Sequence, residues 1–180
     1  MENVYFTVCQ NITIHNYYGV IESPNFPYKY EHNLNCSWMI DAPIGNKINL
    51  TFSHFDVEGL GKNNSCEYDY LDISEGIDRT PSKQLAKLCN SDVLPAKIHS
   101  SQHQVFLKFI TDSLIAYNGF RLEWTVDGCG GHLTRPFGTF TSPGYPSSYP
   151  IDIECEWLIE VDYGHSIELT LHEVSISRVN

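Results

Sequence analysis

Six cysteines are the residues of this 180-residue chain whose chemistry can be inferred most directly from their spacing. The separation of 27 positions between the first two cysteines recurs as 26 between the last two, which indicates one disulfide used in two repeats. The absence of Cys-x-x-Cys argues against thiol redox chemistry and zinc ribbons. An even number of cysteines at repeated spacing is typical of an oxidising compartment. The predicted disulfides are Cys9–Cys36, Cys66–Cys89 and Cys129–Cys155.

Four Asn-x-Ser/Thr sequons indicate the same compartment, because such triplets are acceptors for N-glycosylation. Asn49 has the most suitable setting. In the segment KINLTFSHF, apolar and polar residues alternate, so Asn49 is predicted on the solvent face of a strand. Asn35 is a weaker candidate because its neighbour Cys36 is predicted to be bridged. The predicted glycosylation sites are Asn11, Asn35, Asn49 and Asn63.

Side chains suited to catalysis do not form a recognisable pattern. The segment HEVSI at 172–176 begins like a zincin metalloprotease motif, but Ile176 stands where the second His is required. The chain has no Gly-x-Ser-x-Gly segment, and GLG at 59–61 lacks the third glycine of a dinucleotide-binding loop. We therefore expect no enzymatic activity, and we interpret the histidines as surface or loop residues.

The elements that must position these residues are predicted to be β-strands. Short segments rich in β-branched and aromatic residues are separated by Gly, Pro, Asn and Ser. No segment of about a dozen residues shows the apolar periodicity of a helix. Strands at this spacing suggest an antiparallel sandwich with disulfides at its margins. The tryptophans Trp38, Trp124 and Trp157 are expected in the core. The predicted strand segments are CSWMIDA, KINLTFSHF, YDYLDIS, HQVFLKFI and GFRLEWTV.

The same segment occurs twice in the chain. Residues 19–55 align with residues 138–174 at a constant offset of 119, without a gap, and share Gly, Ser-Pro, Pro, Tyr, Cys, Trp and Ile. A repeat of this length is a domain rather than a solenoid unit. Because the second copy is less than half a period long, it cannot close a core like that of the first. The predicted organisation is a lead-in at 1–8, a complete module at 9–126, a short linker at 127–128 and a partial second module at 129–180.

The chain is acidic throughout, with a formal net charge of −11. This charge argues against nucleic acid as a partner and favours basic protein surfaces or cations. The first residues lack the basic and apolar regions of a secretory signal, and no stretch approaches the ~20 apolar residues of a membrane span. We therefore expect a true N-terminus upstream and an extracellular or cell-surface location, peripheral to the membrane in this segment.

Several motifs together identify a family. The string SPNFPYKYEHNLNCSWMI is followed by FDVE, CEYDYLDI, LC and TDSLIAYNGFRLEW, and then by a new CGG. This combination resembles tandem CUB domains, and the resemblance covers nearly the whole chain. It implies a disulfide-containing β-sandwich of two five-stranded sheets that serves in binding outside the cell.

The resemblance also implies a calcium site. The family's ligands match Glu58 in FDVE, Asp69 in CEYD and Asp112 in TDSL, and a backbone carbonyl is expected at Ser113 or Leu114. In this family, a tyrosine that precedes a conserved glycine often supports the site. The matching tyrosine in this chain is Tyr18. Calcium takes six to eight oxygen ligands, and a cation would relieve the repulsion among three carboxylates.

Other acidic residues are interpreted differently. Asp72, Glu75 and Asp78 are expected to be solvated loop charges, because Leu71 breaks the EF-hand pattern in DYLDISEG. In the second repeat, Glu58 maps onto Ser177, and the counterparts of the two aspartates fall beyond Asn180. A calcium site is therefore not supported there.

Three functions are compatible with these features. The preferred one is a non-catalytic, calcium-dependent recognition module of an endocytic receptor with many CUB domains, which binds protein ligands through their Lys or Arg side chains and adjoins neighbouring CUB modules. The alternative is a non-catalytic CUB segment of a secreted metalloprotease or complement-type protease, used for assembly or substrate targeting. A structural spacer without its own ligand is the third.

Overall fold

A computed structural model describes residues 5–6, 9, 11–90, 94, 96–143, 145–149, 151 and 153–176. Most of the predicted lead-in at 1–8, and Ser177, lie outside these residues. Within them, all regular secondary structure is β-strand. The strands are β1 (Tyr5–Phe6), β2 (Ile12–Ile14), β3 (Tyr18–Glu22), β4 (Asn35–Asp41), β5 (Lys47–Asp56), β6 (Tyr70–Ile77), β7 (Thr80–Leu88), β8 (Ile98–His99), β9 (Gln104–Ile110), β10 (Gly119–Asp127), β11 (Gly131–Leu133) and β12 (Trp157–Ile159).

Ten of these strands form two five-stranded sheets, with the orders β1-β3-β10-β5-β8 and β2-β4-β9-β6-β7. Most ladders are antiparallel, whereas the short strands β1 and β2 pair in parallel with β3 and β4. The prediction of an all-β fold with two five-stranded sheets is therefore confirmed, with one parallel pair at an edge of each sheet. The described part of the chain contains no helix that is long and apolar enough to cross a bilayer.

The core lies between the two sheets and follows from strict alternation along the strands. In β10, the apolar residues at every second position are buried and Glu123 and Thr125 face solvent. Phe120 of β10 meets Trp38 of β4 edge-on at 6.1 Å between ring centroids, and Phe109 of β9 at 5.2 Å. Each large side chain buried in this way contributes about 1.5–3 kcal/mol to stability, so the sheets are held face to face by their aromatic residues.

Three disulfides lie at the margins of the sheets. They join Cys9 to Cys36, Cys66 to Cys89 and Cys129 to Cys155, which are the pairs that the spacing predicts. The second of them connects the loop between β5 and β6 to the residue that follows β7. This disulfide therefore restrains a loop that carries two of the predicted calcium ligands.

The second repeat does not enclose a core within the described residues. Its strands β11 and β12 form a two-stranded parallel sheet, and large apolar side chains such as Phe137 and Ile151 are exposed. Trp157 is only half-buried and stacks on Phe140 at 4.9 Å. The expectation that Trp157 is a core residue is therefore wrong in this structure, because too few strands surround it.

A buried asparagine joins the two repeats. Asn46 lies in the turn before β5 and is 1% exposed. Its Nδ2 donates to the carbonyl oxygen of Glu154 at 3.3 Å, and its Oδ1 accepts a hydrogen bond from the amide of Cys129 at 2.7 Å. Gly128 comes so close that a Cβ on it would lie 2.1 Å from this Oδ1. A further hydrogen bond runs from the Tyr17 hydroxyl to the carbonyl of Glu156 at 2.6 Å, so several contacts hold the joint.

Candidate metal centre

Three carboxylates meet at one end of the sandwich. β6 and β9 are antiparallel neighbours with Tyr70 opposite Ile110, so the start of β6 and the end of β9 lie at the same edge. Asp69 precedes Tyr70, and Asp112 follows Ile110 by two residues. Glu58 follows the end of β5 in the other sheet. One oxygen from each of the three side chains lies within 4.8 Å of the other two. The structure therefore brings together the three predicted carboxylate ligands.

Asp69 is the most firmly held of the three. Its side chain is 1% exposed, its Oδ2 accepts a hydrogen bond from the Tyr30 hydroxyl at 2.6 Å, and its Oδ1 accepts one from the amide of Asp112 at 2.6 Å. These two bonds fix the direction of the carboxylate. They also leave lone pairs on both oxygens available, since each carboxylate oxygen has two.

Tyr30 braces the site. Its amide donates to the carbonyl of Tyr117 at 3.0 Å, its ring packs edge-on against Phe109, and its hydroxyl accepts a hydrogen bond from the amide of Glu58 at 3.3 Å. Burial, the hydrogen bond to Asp69 and the charge of Asp69 all raise the pKa of Tyr30, so its hydroxyl remains a neutral donor. One tyrosine thus links the two ends of the loop that carries Glu58 and Asp69.

The structure places Tyr18 elsewhere, which corrects the expectation that Tyr18 braces the calcium site. Tyr18 pairs with Thr125 in the ladder between β3 and β10, whereas the site end of β10 is at Gly119. Six residues of extended strand span about 20 Å, so Tyr18 is remote from the carboxylates. Tyr30 recurs in the second repeat as Tyr149, and this match is the sequence signal that could have selected it.

Glu58 gives the clearest reason to expect a cation at this site. Its side chain is 9% exposed, and among the described residues its buried Oε2 has no hydrogen-bond partner. Burial raises the pKa of Glu58, and the charges of Asp69 and Asp112 raise it further. A buried carboxylate oxygen without a partner is costly, and a second and third carboxylate beside it increase that cost. An all-oxygen donor set of this kind suits a hard cation such as Ca²⁺.

Asp112 forms the more open side of the site. Its carbonyl accepts a hydrogen bond from the amide of Asn33 at 2.8 Å, and its Oδ1 accepts one from the amide of Leu114 at 2.8 Å. The side chain is half-buried, and Ser113 and Leu114 beside it are exposed. A carbonyl ligand at Ser113 or Leu114 stays a prediction.

The acidic residues of β6 lie apart from this cluster. Asp72 is half-buried on β6 and accepts a hydrogen bond from Gln84 at 2.9 Å, which corrects its interpretation as a loop charge. Glu75 is 1% exposed, and its carboxylate accepts hydrogen bonds from Ser101 and Lys83, which correct its interpretation as a solvated loop charge. Burial raises its pKa, but these bonds dominate and the pKa of Glu75 is lowered. Asp78 lies in the turn between β6 and β7 and is exposed, as expected.

The predicted glycosylation sites are compatible with modification but stay predictions. Asn11, Asn35 and Asn63 are exposed. Asn49 faces away from the core on β5, where its Oδ1 lies 2.6 Å from the Nδ1 of His99.

Comparisons with known proteins agree with this geometry. The model of the CUB domain family matches residues 9–124 and again residues 129–180. Human cubilin is 39% identical over 175 residues, which is 96% of this chain but 5% of that protein. The cubilin homolog of Drosophila melanogaster is 34% identical over 91% of this chain and 4% of its own length. Human neuropilin-2 is 34% identical over 78% of this chain and 15% of its own length. The chain thus spans a small part of these relatives.

Solved structures give the same result. The MASP-1 CUB2 domain bound to Ca²⁺ is 29% identical, covers 63% of this chain and 96% of that domain, and has a TM-score of 0.56. The extracellular region of zebrafish Gpr126 is 25% identical, covers 67% of this chain and 15% of that chain, and has a TM-score of 0.58. From its motifs, its paired five-stranded sheets and these matches, we conclude that the chain belongs to the CUB domain family.

Proposed function

We propose that this chain is a non-catalytic segment of a large extracellular receptor built from many CUB domains, and that its first module recognises proteins in a calcium-dependent manner. The observation that carries the proposal is the buried Glu58 Oε2, which has no hydrogen-bond partner among the described residues and converges with two further carboxylates. When bound, Ca²⁺ would supply the positive charge that allows the three carboxylates to stay ionised together.

In this proposal, the carboxylates of the site bind the protein ligand directly. Asp69 is fixed by Tyr30 and by the amide of Asp112, whereas Asp112 is partly exposed and lies at the open side. Ionised oxygens held in place by hydrogen bonds are good acceptors for the Lys or Arg of a protein ligand, because charge-assisted hydrogen bonds are stronger than neutral ones. The net charge of −11 would attract basic ligands over a longer range.

The receptor is preferred over a protease segment because the receptor relatives are more similar in sequence to this chain. Human cubilin matches 96% of the chain at 39% identity, across both repeats and the joint between them. Tolloid of Drosophila melanogaster matches 88% of the chain at 28% identity. A role in endocytosis and a cell-surface location belong to the same proposal.

The test uses the full chain and a sensor surface coated with lysine, with Nε-acetyl-lysine as the neutral control. Binding should require millimolar Ca²⁺, weaken with added salt because exposed charge pairs are screened, and disappear when EDTA replaces calcium at constant ionic strength. Asp69→Ala and Asp112→Ala should abolish both calcium binding and lysine binding. Asp72→Ala, which removes a carboxylate of β6 outside the cluster, is the matched control and should change neither.

Calorimetry provides an independent readout. Calcium should raise the melting temperature of the chain, because a ligand that binds only the native state stabilises it by mass action. Equal affinity for lysine in calcium and in EDTA would show that the calcium site does not take part in ligand recognition. An unchanged melting temperature at millimolar calcium would count against the metal site itself.

A further inference from the structure

A cleft of about 550 Å³ lies at the joint between the two repeats. One wall is the end of the β2-β4-β9-β6-β7 sheet far from the candidate metal centre, where Asp41 and Gly76 both pair with Gln104. The other wall belongs to the second repeat, which contributes Glu154 and Glu156. The charged or titratable side chains that the first module contributes to the cleft are those of His15, Asp41, Asp78, Arg79 and His103.

Four carboxylates dominate the charge of this cleft at neutral pH. They belong to Asp41, Asp78, Glu154 and Glu156, and Arg79 carries the one guanidinium among the described residues that line the cleft. Within the part of the chain that the structure describes, neither Glu154 nor Glu156 forms an ion pair. The two walls therefore repel each other as long as the histidines are neutral.

The two glutamates act directly on the first module. The Tyr17 hydroxyl donates to the carbonyl of Glu156 at 2.6 Å, and the amide of Glu154 donates to the carbonyl of Ile44 at 3.0 Å. Burial raises the pKa of Tyr17, and the negative charges of Glu156 and Glu154 raise it further. Backbone contacts thus hold both glutamates beside the first wall, while their side chains stay exposed.

Two histidines line the same cleft. The Nδ1 of His15 lies 3.8 Å from the Oδ2 of Asp41, and the His15 side chain is 65% exposed. The carbonyl of His103 accepts a hydrogen bond from the amide of Ala42 at 2.9 Å, which ties His103 to the end of β4. Histidine is the side chain that changes its charge between pH 5 and 8. Once both are protonated, three positive groups face the four carboxylates.

Gln104 fixes the wall that carries the histidines. It is 5% exposed, its Nε2 donates to the Oδ1 of Asp41 at 2.9 Å, and its Oε1 accepts from the amide of Arg79 at 2.8 Å. These bonds hold the end of β4 and the turn between β6 and β7 in one arrangement. A change in the charge of this wall therefore acts on the position of the second repeat rather than on the wall itself.

We propose that this cleft is a pH-sensitive joint, in which protonation of His15 and His103 draws the second repeat against the first module. At neutral pH, repulsion among the carboxylates holds the cleft wider. The closed form sets imidazolium groups against Glu154 and Glu156 and takes up protons more readily than the open form, so lower pH favours it. The inference is independent of calcium binding, because the candidate metal centre lies at the other end of the sheet.

Amide hydrogen exchange of the full chain, measured by NMR at pH 7.5 and 5.5 in millimolar Ca²⁺, tests the proposal. Rates are expressed as protection factors, which remove the intrinsic effect of pH on exchange. Protection of the Glu154 amide, which bonds to Ile44 across the joint, should rise about threefold to tenfold at pH 5.5, as expected for two exposed charge pairs. The Ser100 amide, which bonds to Ile48 within the first module, is the internal reference and should not change. Added salt at 0.5 M, an estimate chosen to shorten the screening length to about 4 Å, should reduce the rise.

Variants assign the effect to the cleft. The double variant His15→Gln and His103→Gln should reduce the pH effect to less than about twofold. The double variant Glu154→Gln and Glu156→Gln should raise protection at pH 7.5 above that of the unaltered chain, because it removes the repulsion. A chain that failed to fold could not show this gain. His32→Gln is the matched control, since His32 is exposed in the loop 23–34 at the other end of the sandwich.

The outcomes decide the proposal in either direction. Equal protection of the Glu154 amide at both pH values, or lower protection at pH 5.5, overturns it. A rise that persists in the double histidine variant overturns the assignment to His15 and His103. A rise that is lost in that variant and kept in His32→Gln supports the proposal.

Discussion

Tyr30 is the single residue on which the geometry of the candidate site depends most. Its hydroxyl donates to Asp69 and accepts from the amide of Glu58, so it links two of the three carboxylate-bearing positions. Replacing a residue that orients a metal ligand usually weakens metal binding by about 10–100-fold. The tyrosine acts through Asp69 and need not touch the cation.

We expect Tyr30→Phe to weaken calcium binding at least tenfold and to lower the free energy of unfolding by about 1–3 kcal/mol, since Asp69 loses a buried hydrogen bond. Isothermal titration with calcium and chemical denaturation measure the two effects. Tyr18→Phe is the matched control, because Tyr18 lies at the opposite end of the β3–β10 ladder. A loss of affinity in Tyr18→Phe equal to that in Tyr30→Phe would contradict the assignment.

Sequence reasoning identified the carboxylates but not the tyrosine, for a physical reason. Glu58, Asp69 and Asp112 lie next to strand ends that alternation and family motifs both locate. Tyr30 lies in the irregular loop 23–34, where no periodicity predicts which side chain turns inward. Glu75 was misinterpreted for a related reason. Its partners on Ser101 come from a loop 26 residues away, and a local pattern does not report such contacts.

At the scale of the elements, the loop between β5 and β6 is the least regular part of the site. It spans residues 57–69 and supplies both Glu58 and Asp69. The disulfide between Cys66 and Cys89 and a hydrogen bond from the amide of Asn90 to the carbonyl of Glu58 at 2.9 Å attach it to the segment after β7. The loop is therefore partly ordered before any cation binds, which lowers the entropic cost of binding.

Replacing Cys66 and Cys89 by alanine should lower the free energy of unfolding by about 3 kcal/mol, as expected for a closed loop of this length. It should also reduce the rise in melting temperature that calcium causes, because the loop must then be ordered during binding. Differential scanning calorimetry with and without calcium measures both. Replacing Cys129 and Cys155 by alanine is the control. If it reduced the calcium-induced rise in melting temperature equally, the effect would not come from the loop between β5 and β6.

The strands differ in how well the sequence predicts them. The central strands β4, β5, β6, β9 and β10 were predicted because they are rich in β-branched and aromatic residues and are separated by turn residues, and β5 and β10 also show clear alternation. β7 was missed because it is an edge strand whose first five residues are all exposed, so that no apolar alternation appears until Leu85. Proline and lysine, present here at Pro81, Lys83 and Lys87, are typical of edges protected against pairing with another chain. The parallel pairs at β1 and β2 involve few residues and leave no periodic signal.

At the scale of the whole molecule, one buried side chain makes two of the hydrogen bonds that hold the joint between the repeats. Asn46 contacts the amide of Cys129 and the carbonyl of Glu154 from a buried position. Only Gly128 separates β10 from Cys129. A joint of this length leaves the two repeats little freedom to move relative to each other, and the hydrogen bonds of Asn46 restrict that motion further.

Asn46→Ala should leave the amide of Cys129 and the carbonyl of Glu154 without these partners and should loosen the joint. Small-angle scattering should then show a broader distribution of dimensions, and amide exchange should be faster at Cys129. Calcium binding should not change, since Asn46 lies at the end of β5 remote from Glu58. Asn16→Ala, at an exposed asparagine, is the control. An unchanged scattering profile in Asn46→Ala would show that other contacts suffice.

The stiffness of this joint has a consequence for avidity. When two binding surfaces are joined by a flexible linker, a ligand held at one experiences the other at a broad range of distances. A short joint restrained by Asn46 narrows that range of separations and directions. A ligand whose own contact points match this separation gains a high effective concentration for the second contact, and a ligand whose points do not match gains none. In the proposed receptor, a joint of this kind between neighbouring modules would favour ligands whose binding points match its spacing.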